Sequence, residues 1–196
     1  GPPTEIKAMV GARTIRATLP NADADLLGAL PGVTLAERHG ETVRTGIWKL
    51  PVEGPIALRG VNLEGDDQGD RSVHGGPDKA VYAYAREDID WWQDELGREL
   101  PDGVFGENLT LRGIDTANAL VGERWRIGSA LLEVSEPRFP CWKLGVRFGD
   151  PLMLKRFAQA RRTGSYLRIV EEGSLQAGDI VEIVSRPAHD LTIGAF

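Results

Sequence analysis

The apolar runs in this chain are short and evenly spaced, and glycines and prolines separate them. Ala80 to Ala85 (AVYAYA) is one such run, and Asn108 to Leu111 (NLTL) alternates polar and apolar residues. Glu123 to Val134 (ERWRIGSALLEV) carries Gly128-Ser129 at its middle, which predicts a hairpin or a bulged pair of strands. Ser165 to Val170 and Ile180 to Val184 are two more, the last preceded by a Gly178-Asp179 turn. Strands this short and this regular cannot bury themselves alone, so the expected core is a closed or sandwich-like β fold. A chain of 196 residues supports one such core, burying about 70% of its unfolded surface.

Two helices are expected at the periphery, giving a mainly β, α+β class. Glu87 to Leu100 places Ile89, Trp92, Leu96 and Leu100 at helical spacing and stops at Pro101. Trp92 reads most simply as core packing. The second helix begins at Asp150-Pro151, a capping residue followed by proline in the first turn. Leu152, Phe157 and Ala158 form its expected buried face, Arg161 and Arg162 its last turn, and Gly164 its C′ residue. A shorter helix is expected over 23–30.

Charge and cysteine content exclude several function classes. The 23 Lys and Arg against 29 Asp and Glu leave a net −6, which is not the footprint of a general nucleic-acid binder. No apolar stretch reaches the length of a membrane span. The single cysteine, Cys141, forbids an internal disulfide and a cysteine-rich metal cluster, and it fits a reducing compartment. With no basic-then-apolar leader pattern, the expected location is the cytoplasm.

Four segments could carry chemistry. Cys141 lies in Pro137-Arg138-Phe139-Pro140-Cys141-Trp142-Lys143-Leu144. The two prolines predict a stiff loop, and Arg138 and Lys143 bracket the sulfur. Nearby cations favour thiolate, the form that attacks or binds a soft metal; a small inert core residue is the alternative. The second segment, Gly65 to Ala80, holds three aspartates, but counting from Asp66 the twelfth position is Pro77, where a calcium loop needs glutamate. What remains is His74 beside Gly75-Gly76, whose backbone N–H groups could line an anion site, and then Lys79; a solvated surface turn is the competing reading. Third is Gly106-Glu107-Asn108, where the asparagine suits a heterocycle edge and a simple turn is equally cheap. Fourth is Lys49, at the end of an early strand, a generic surface lysine until something places it. No nucleophile-elbow, zincin or P-loop pattern occurs.

Taken in order, these segments resemble the MOSC domain family, and in particular its bacterial YiiM-like branch. The matching pieces are Lys49, the Gly-Asp…His74-Gly75-Gly76-Pro-Asp-Lys79 stretch, Trp91-Trp92, Phe105-Gly106-Glu107-Asn108-Leu109, Arg138-x-Pro-Cys141-Trp-Lys143-Leu and Tyr166-x-Arg168-Ile-Val-Glu-Glu-Gly. The resemblance implies a β-barrel domain over 44–187; the leader over 1–43, which matches no part of the family pattern, is expected to pack on it, and 188–196 is expected to be the start of a truncated or shortened C-terminal extension. It implies a molybdenum cofactor, an anionic pterin dithiolene phosphate, with Cys141 as the protein's ligand to molybdenum. Lys49, Lys79, Arg138 and Lys143 are the expected cationic rim. His74, Gly75, Gly76, Gly106, Glu107 and Asn108 are expected at the pterin edge, with Tyr166 and Arg168 joining the set. The implied activity is reduction of N-hydroxylated compounds, such as N-hydroxylaminopurines or amidoximes, with electrons from a flavin-containing reductase and a monomeric or homodimeric assembly. Two alternatives stay open at this level: a sulfur carrier holding a persulfide on Cys141, and a cofactor-binding module without turnover.

Overall fold

The structure is a computed structural model that describes residues 9–10, 34–38, 41–66 and 75–196. The helix expected over 23–30 and the expected site residue His74 lie outside the described residues. Twelve strands and three helices are described. A seven-stranded sheet dominates them, in the order β1 (Met9–Val10), β7 (Leu109–Leu111), β6 (Val81–Ala85), β10 (Ser165–Glu171), β9 (Ala130–Pro137), β8 (Arg124–Ile127) and β12 (Val181–Ser185). Only β6 and β7 run parallel; the other neighbours are antiparallel. The sheet curls into a half-barrel. Gly128 turns β8 into β9 with a positive φ of 57°, as the Gly-Ser pair predicts.

A three-stranded sheet, β11 (Gly173–Leu175), β4 (Ile56–Arg59) and β5 (Asn62–Leu63), covers the inside of the curl. Its Ile56, Leu58, Leu63 and Leu175 pack against Val81, Ala83, Leu109, Trp125, Leu132 and Leu167 in one core. A hairpin of β2 (Thr34–Arg38) and β3 (Glu41–Thr45) stands apart as a two-stranded sheet.

Strand β6 explains why a second core exists. Successive side chains of a strand point to opposite faces. Val81 and Ala83 therefore enter the first core, while Tyr82 and Tyr84 face the helices. There they meet α1 (Arg86–Leu96), α2 (Trp142–Phe148) and α3 (Met153–Ala160) through Ile89, Trp92, Leu144, Phe148 and Phe157, with Phe105 of the loop before β7 among them. A strand buried on both faces reads as a continuous apolar run, which is what AVYAYA is. Helix α1 ends earlier than its apolar spacing predicts, at Gly97 in the left-handed conformation; Leu100 still reaches the core from the following loop.

The face of α3 corrects the sequence reading. Leu152 is 57% exposed and Ala158 is exposed, while Met153 and Phe157 are fully buried. The helix begins at Met153 rather than at Pro151, and Met153 and Phe157, one turn apart, form its buried face. Its left-handed end is Arg161, not Gly164. Gly164 serves a different need, since a Cβ there would sit 2.6 Å from the Ala83 carbonyl and the Tyr84 ring. Near the C-terminus, Thr192 bridges to Leu120 and Ile193 is buried in the first core.

Candidate functional site

The site lies at the mouth of the half-barrel, where the two cores meet. Tyr82 of β6, Tyr166 of β10 and Asn108, just before β7, are contributed by the main sheet. The end of β3 and the segment after it supply Thr45, Ile47 and Lys49 as one wall; Asp66, which follows the β4–β5 hairpin, stands beside it. The loop between β9 and α2 supplies Arg138 and Cys141, and α2 itself supplies Lys143. Lys79 comes from a 3₁₀ turn, Pro77–Lys79. The cleft holds a cavity of about 80 Å³ that opens to solvent at its mouth.

Backbone geometry sets the Lys49 wall. Gly103 and Gly106 both have φ of +81°, a conformation that favours glycine. A Cβ on Gly103 would lie 2.9 Å from the Lys49 carbonyl oxygen, and one on Gly106 would lie 3.0 Å from Ile47. The loop from Gly103 to Glu107 can therefore press against the 47–49 segment. Glu107 ties this loop from inside. Its carboxylate, 1% exposed, accepts hydrogen bonds from the N–H groups of Gly103 (2.7 Å) and Phe105 (2.9 Å) and from the Thr110 hydroxyl (3.1 Å). Burial pushes its pKa up to about 7 against those three donors.

Lys49 is not the surface lysine its sequence context suggests. It is 7% exposed, and its ammonium pairs with the Asp66 carboxylate. The other Asp66 oxygen accepts from the Asn108 amide at 2.7 Å. The Asn108 side-chain oxygen accepts from the Tyr82 N–H at 2.9 Å. Asn108 is thus held by the strand floor on one side and by Asp66 on the other. Asp66, Tyr82 and Thr45 are cleft residues that the sequence reading did not pick out. Asp66 had a signal, in the acidic run after Gly65, but the failed calcium spacing gave it no role.

Arg138 is 7% exposed and donates to the Phe105 carbonyl, with its guanidinium 4.9 Å above the Tyr82 ring. Burial works against its charge, but Tyr82, Tyr166 and Cys141 around it outweigh that and hold its pKa above the usual value. Burial likewise pushes the Tyr82 and Tyr166 hydroxyls up, so both keep their protons near neutral pH. Lys143 is 8% exposed. Lys79 lies 3.6 Å from the Glu136 carboxylate. Cys141 is half-buried at the start of α2 with its thiol unbridged.

Eight of the expected site residues therefore line one cleft: Lys49, Lys79, Gly106, Asn108, Arg138, Cys141, Lys143 and Tyr166. Gly75, Gly76, Glu107 and Arg168 do not line it. Gly76 opens the 3₁₀ turn, and its carbonyl accepts from the Lys79 N–H at 3.2 Å. Arg168 points elsewhere and forms ion pairs with Asp78 and Glu133, both at 2.9 Å. Positions 166 and 168 share a face of a regular strand, but a register shift between Tyr166 and Leu167 falls between them, so that the main chain holds Tyr166 against Glu136 and Arg168 against Glu133. Among the described residues no group of three or more His, Cys, Asp or Glu side chains could hold a metal ion by itself, and no helix is long and apolar enough to cross a membrane.

Known proteins resemble this chain in sequence and in fold. YflK of Bacillus subtilis (strain 168) is 40% identical over 157 residues, covering 80% of this chain and 71% of its own. A Gibberella moniliformis protein named Reductase is 34% identical over 170 residues, 80% of this chain but 30% of that longer one. The crystal structure of YiiM from Geobacillus stearothermophilus matches with a TM-score of 0.69 at 27% identity, covering 95% of this chain and 78% of that chain. A family model for the MOSC domain, a family associated with molybdenum cofactor binding, matches residues 70–182, a span that takes in Lys79, Asn108, Arg138, Cys141 and Tyr166. On these grounds the chain belongs to the MOSC domain family, as a YiiM-like member.

Proposed function

We propose that the cleft binds a molybdenum cofactor, that Cys141 is its protein ligand, and that the protein reduces N-hydroxylated compounds. The observation that carries this reading is the company of the one cysteine. Its sulfur borders a cleft walled by Arg138, Lys143, Lys79 and Lys49. A soft sulfur donor suits molybdenum, and clustered cations suit a phosphate-bearing pterin. The donor set therefore fits the group. One thiolate is chemically sufficient, since the pterin brings two sulfurs of its own.

When bound, the cofactor would supply a two-electron donor that takes up an oxygen atom, and the protein would hold it and shape access. The overall change takes an N-hydroxylated substrate, two electrons and two protons to the amine or amidine and water. Arg138 and Lys143, both buried cations, neutralise the anionic end of the cofactor. Tyr166 and Tyr82 keep their hydroxyls protonated and close the floor. The electrons come from a flavin-containing reductase as partner, the assembly is a monomer or homodimer, and the setting is the cytoplasm. The name of the fungal relative supports a redox role.

The test is reduction of an N-hydroxylated purine with an artificial one-electron donor, comparing wild type and Cys141→Ser at matched molybdenum loading. The serine oxygen is a harder, poorly ionised donor. Turnover should fall steeply in the variant while the fold persists. A folded serine variant with unimpaired turnover overturns the ligand role.

A further inference from the structure

Asp66 is 4% exposed at its side chain, and both of its carboxylate oxygens are engaged inside the cleft. One pairs with the Lys49 ammonium, the other accepts from the Asn108 amide at 2.7 Å. Its own backbone is fixed as well. The Asp66 carbonyl accepts from the Asn62 side chain at 2.7 Å, and its N–H donates to the Leu63 carbonyl at 3.1 Å. The orientation of the Asn108 amide follows from these partners. The Tyr82 N–H can only donate and the carboxylate accepts, so the amide oxygen faces Tyr82 and the amide nitrogen faces Asp66. An amide nitrogen has two protons and an ammonium three. After Asp66 takes one from each, the wall still carries donors.

The charge balance differs across the cleft. On the Lys49 side the carboxylate cancels the ammonium. Among the described residues, the partners of Arg138 are the Phe105 carbonyl, the faces and hydroxyls of Tyr82 and Tyr166, and Cys141, none of them a carboxylate. We infer that Asp66 is a positioning residue: by holding Lys49 and Asn108 on its two oxygens it makes one wall a charge-neutral pair of donors, which takes the acceptor edge of an uncharged heterocycle and leaves the anion to the Arg138 side. This rests on the reading of the cleft as a pterin-cofactor site and deepens it. Lys49 then ceases to be a phosphate anchor, contrary to what its charge alone suggests.

The test needs neither molybdenum nor turnover, so it fails or succeeds apart from the redox proposal. Full-length protein from a host without pterin synthesis is titrated calorimetrically with inorganic phosphate and with neopterin, a pterin that carries no phosphate. In Asp66→Asn, loss of the compensating charge should tighten phosphate binding by about 3- to 10-fold. Disordering of the donor pair should weaken neopterin about tenfold. A residue that merely stabilised the fold would weaken both probes together. Lys49→Met leaves the Asp66 charge uncompensated and should weaken phosphate binding by a similar factor, about 3- to 10-fold. If Asp66→Asn does not fold, the double variant Lys49→Met/Asp66→Asn removes the pair without leaving a buried charge alone; it should keep phosphate and lose neopterin. Weaker or unchanged phosphate binding in a folded Asp66→Asn protein overturns the inference. So does loss of phosphate binding in the double variant, or a wild type that binds neither probe.

Discussion

Glu107→Gln isolates what a buried carboxylate does for the wall of the cleft. Glu107 is 1% exposed, and its ordinary pKa of 4.5 is pushed up to about 7 by burial. The folded state therefore holds a proton that the unfolded state releases between about pH 4.5 and 7. Stability falls where the native state binds more protons than the unfolded one as pH rises. The wild type thus carries this contribution in full below about pH 4.5, loses it through the interval, and has none of it left above about pH 8. A shift of that size is worth about 3 kcal/mol, and most of it falls between pH 5 and pH 8. Glutamine has no proton to lose. It also meets two backbone N–H donors, at 2.7 and 2.9 Å, with a single acceptor atom, so the variant should be less stable than wild type at pH 5. The assay is urea unfolding of both proteins at pH 5, 6, 7 and 8. The stability advantage of wild type over Glu107→Gln should shrink by about 2 to 3 kcal/mol across that range. An advantage that grows with pH would refute the reasoning, because it would mean that the three donors hold the carboxylate as an anion in spite of burial.

Three other outcomes follow from the same geometry. Arg138→Ala should weaken cofactor retention by about 10- to 150-fold, the range for a charged hydrogen bond to a buried anion; Lys79→Ala should cost less, because Lys79 is 30% exposed and faces Glu136. Equal losses on dialysis would place the anchor elsewhere. Gly103→Ala should destabilise by about 1–3 kcal/mol and lower cofactor occupancy too, since its Cβ would press on the Lys49 carbonyl at 2.9 Å from a φ of +81°; thermal melting and metal content read the two effects. Phe157→Ala should cost about 3–5 kcal/mol, because Phe157 is fully buried against Tyr84, Trp92 and Phe105; unfolding at a midpoint near that of wild type would contradict the placement of the second core.

Strands whose signal is local were legible in the sequence. The β8–β9 hairpin announces itself through Gly128-Ser129, and β6 through six apolar and aromatic residues in a row. Elements that depend on distant partners were not. Strand β4 is only four residues long and pairs with both β5 and β11, more than a hundred residues apart. Helix α2 follows a proline and has Gly145 in its middle, so propensity argues against it. Packing favours the glycine, since a Cβ there would lie 3.2 Å from the Asp150 carbonyl at the corner into α3. The site divides the same way. Cys141, Arg138 and Lys143 sit on one short loop and helix start, so a sequence motif can hold them. Lys49, Asp66 and Asn108 come from three separate segments, and only the fold makes a buried ion pair of a lysine and an aspartate seventeen positions apart. Arg168 shows the converse: it shares a motif with Tyr166 but not an ion-pair environment, and its partners Asp78 and Glu133 draw it from the cleft.

The claim that this cleft is a molybdenum-cofactor site bound through Cys141 is tested most directly by metal and pterin analysis. Wild type and Cys141→Ser are purified from a molybdenum-replete host that makes the pterin, and wild type also from one that does not. The account predicts about one molybdenum and one pterin per chain in the first protein, a number set by the single thiolate. It predicts a lower molybdenum-to-pterin ratio in the serine variant, and neither component in protein from the pterin-deficient host, which still folds. Wild type from the replete host that carries neither molybdenum nor pterin, or a serine variant that holds molybdenum as fully as wild type through dialysis, would contradict it.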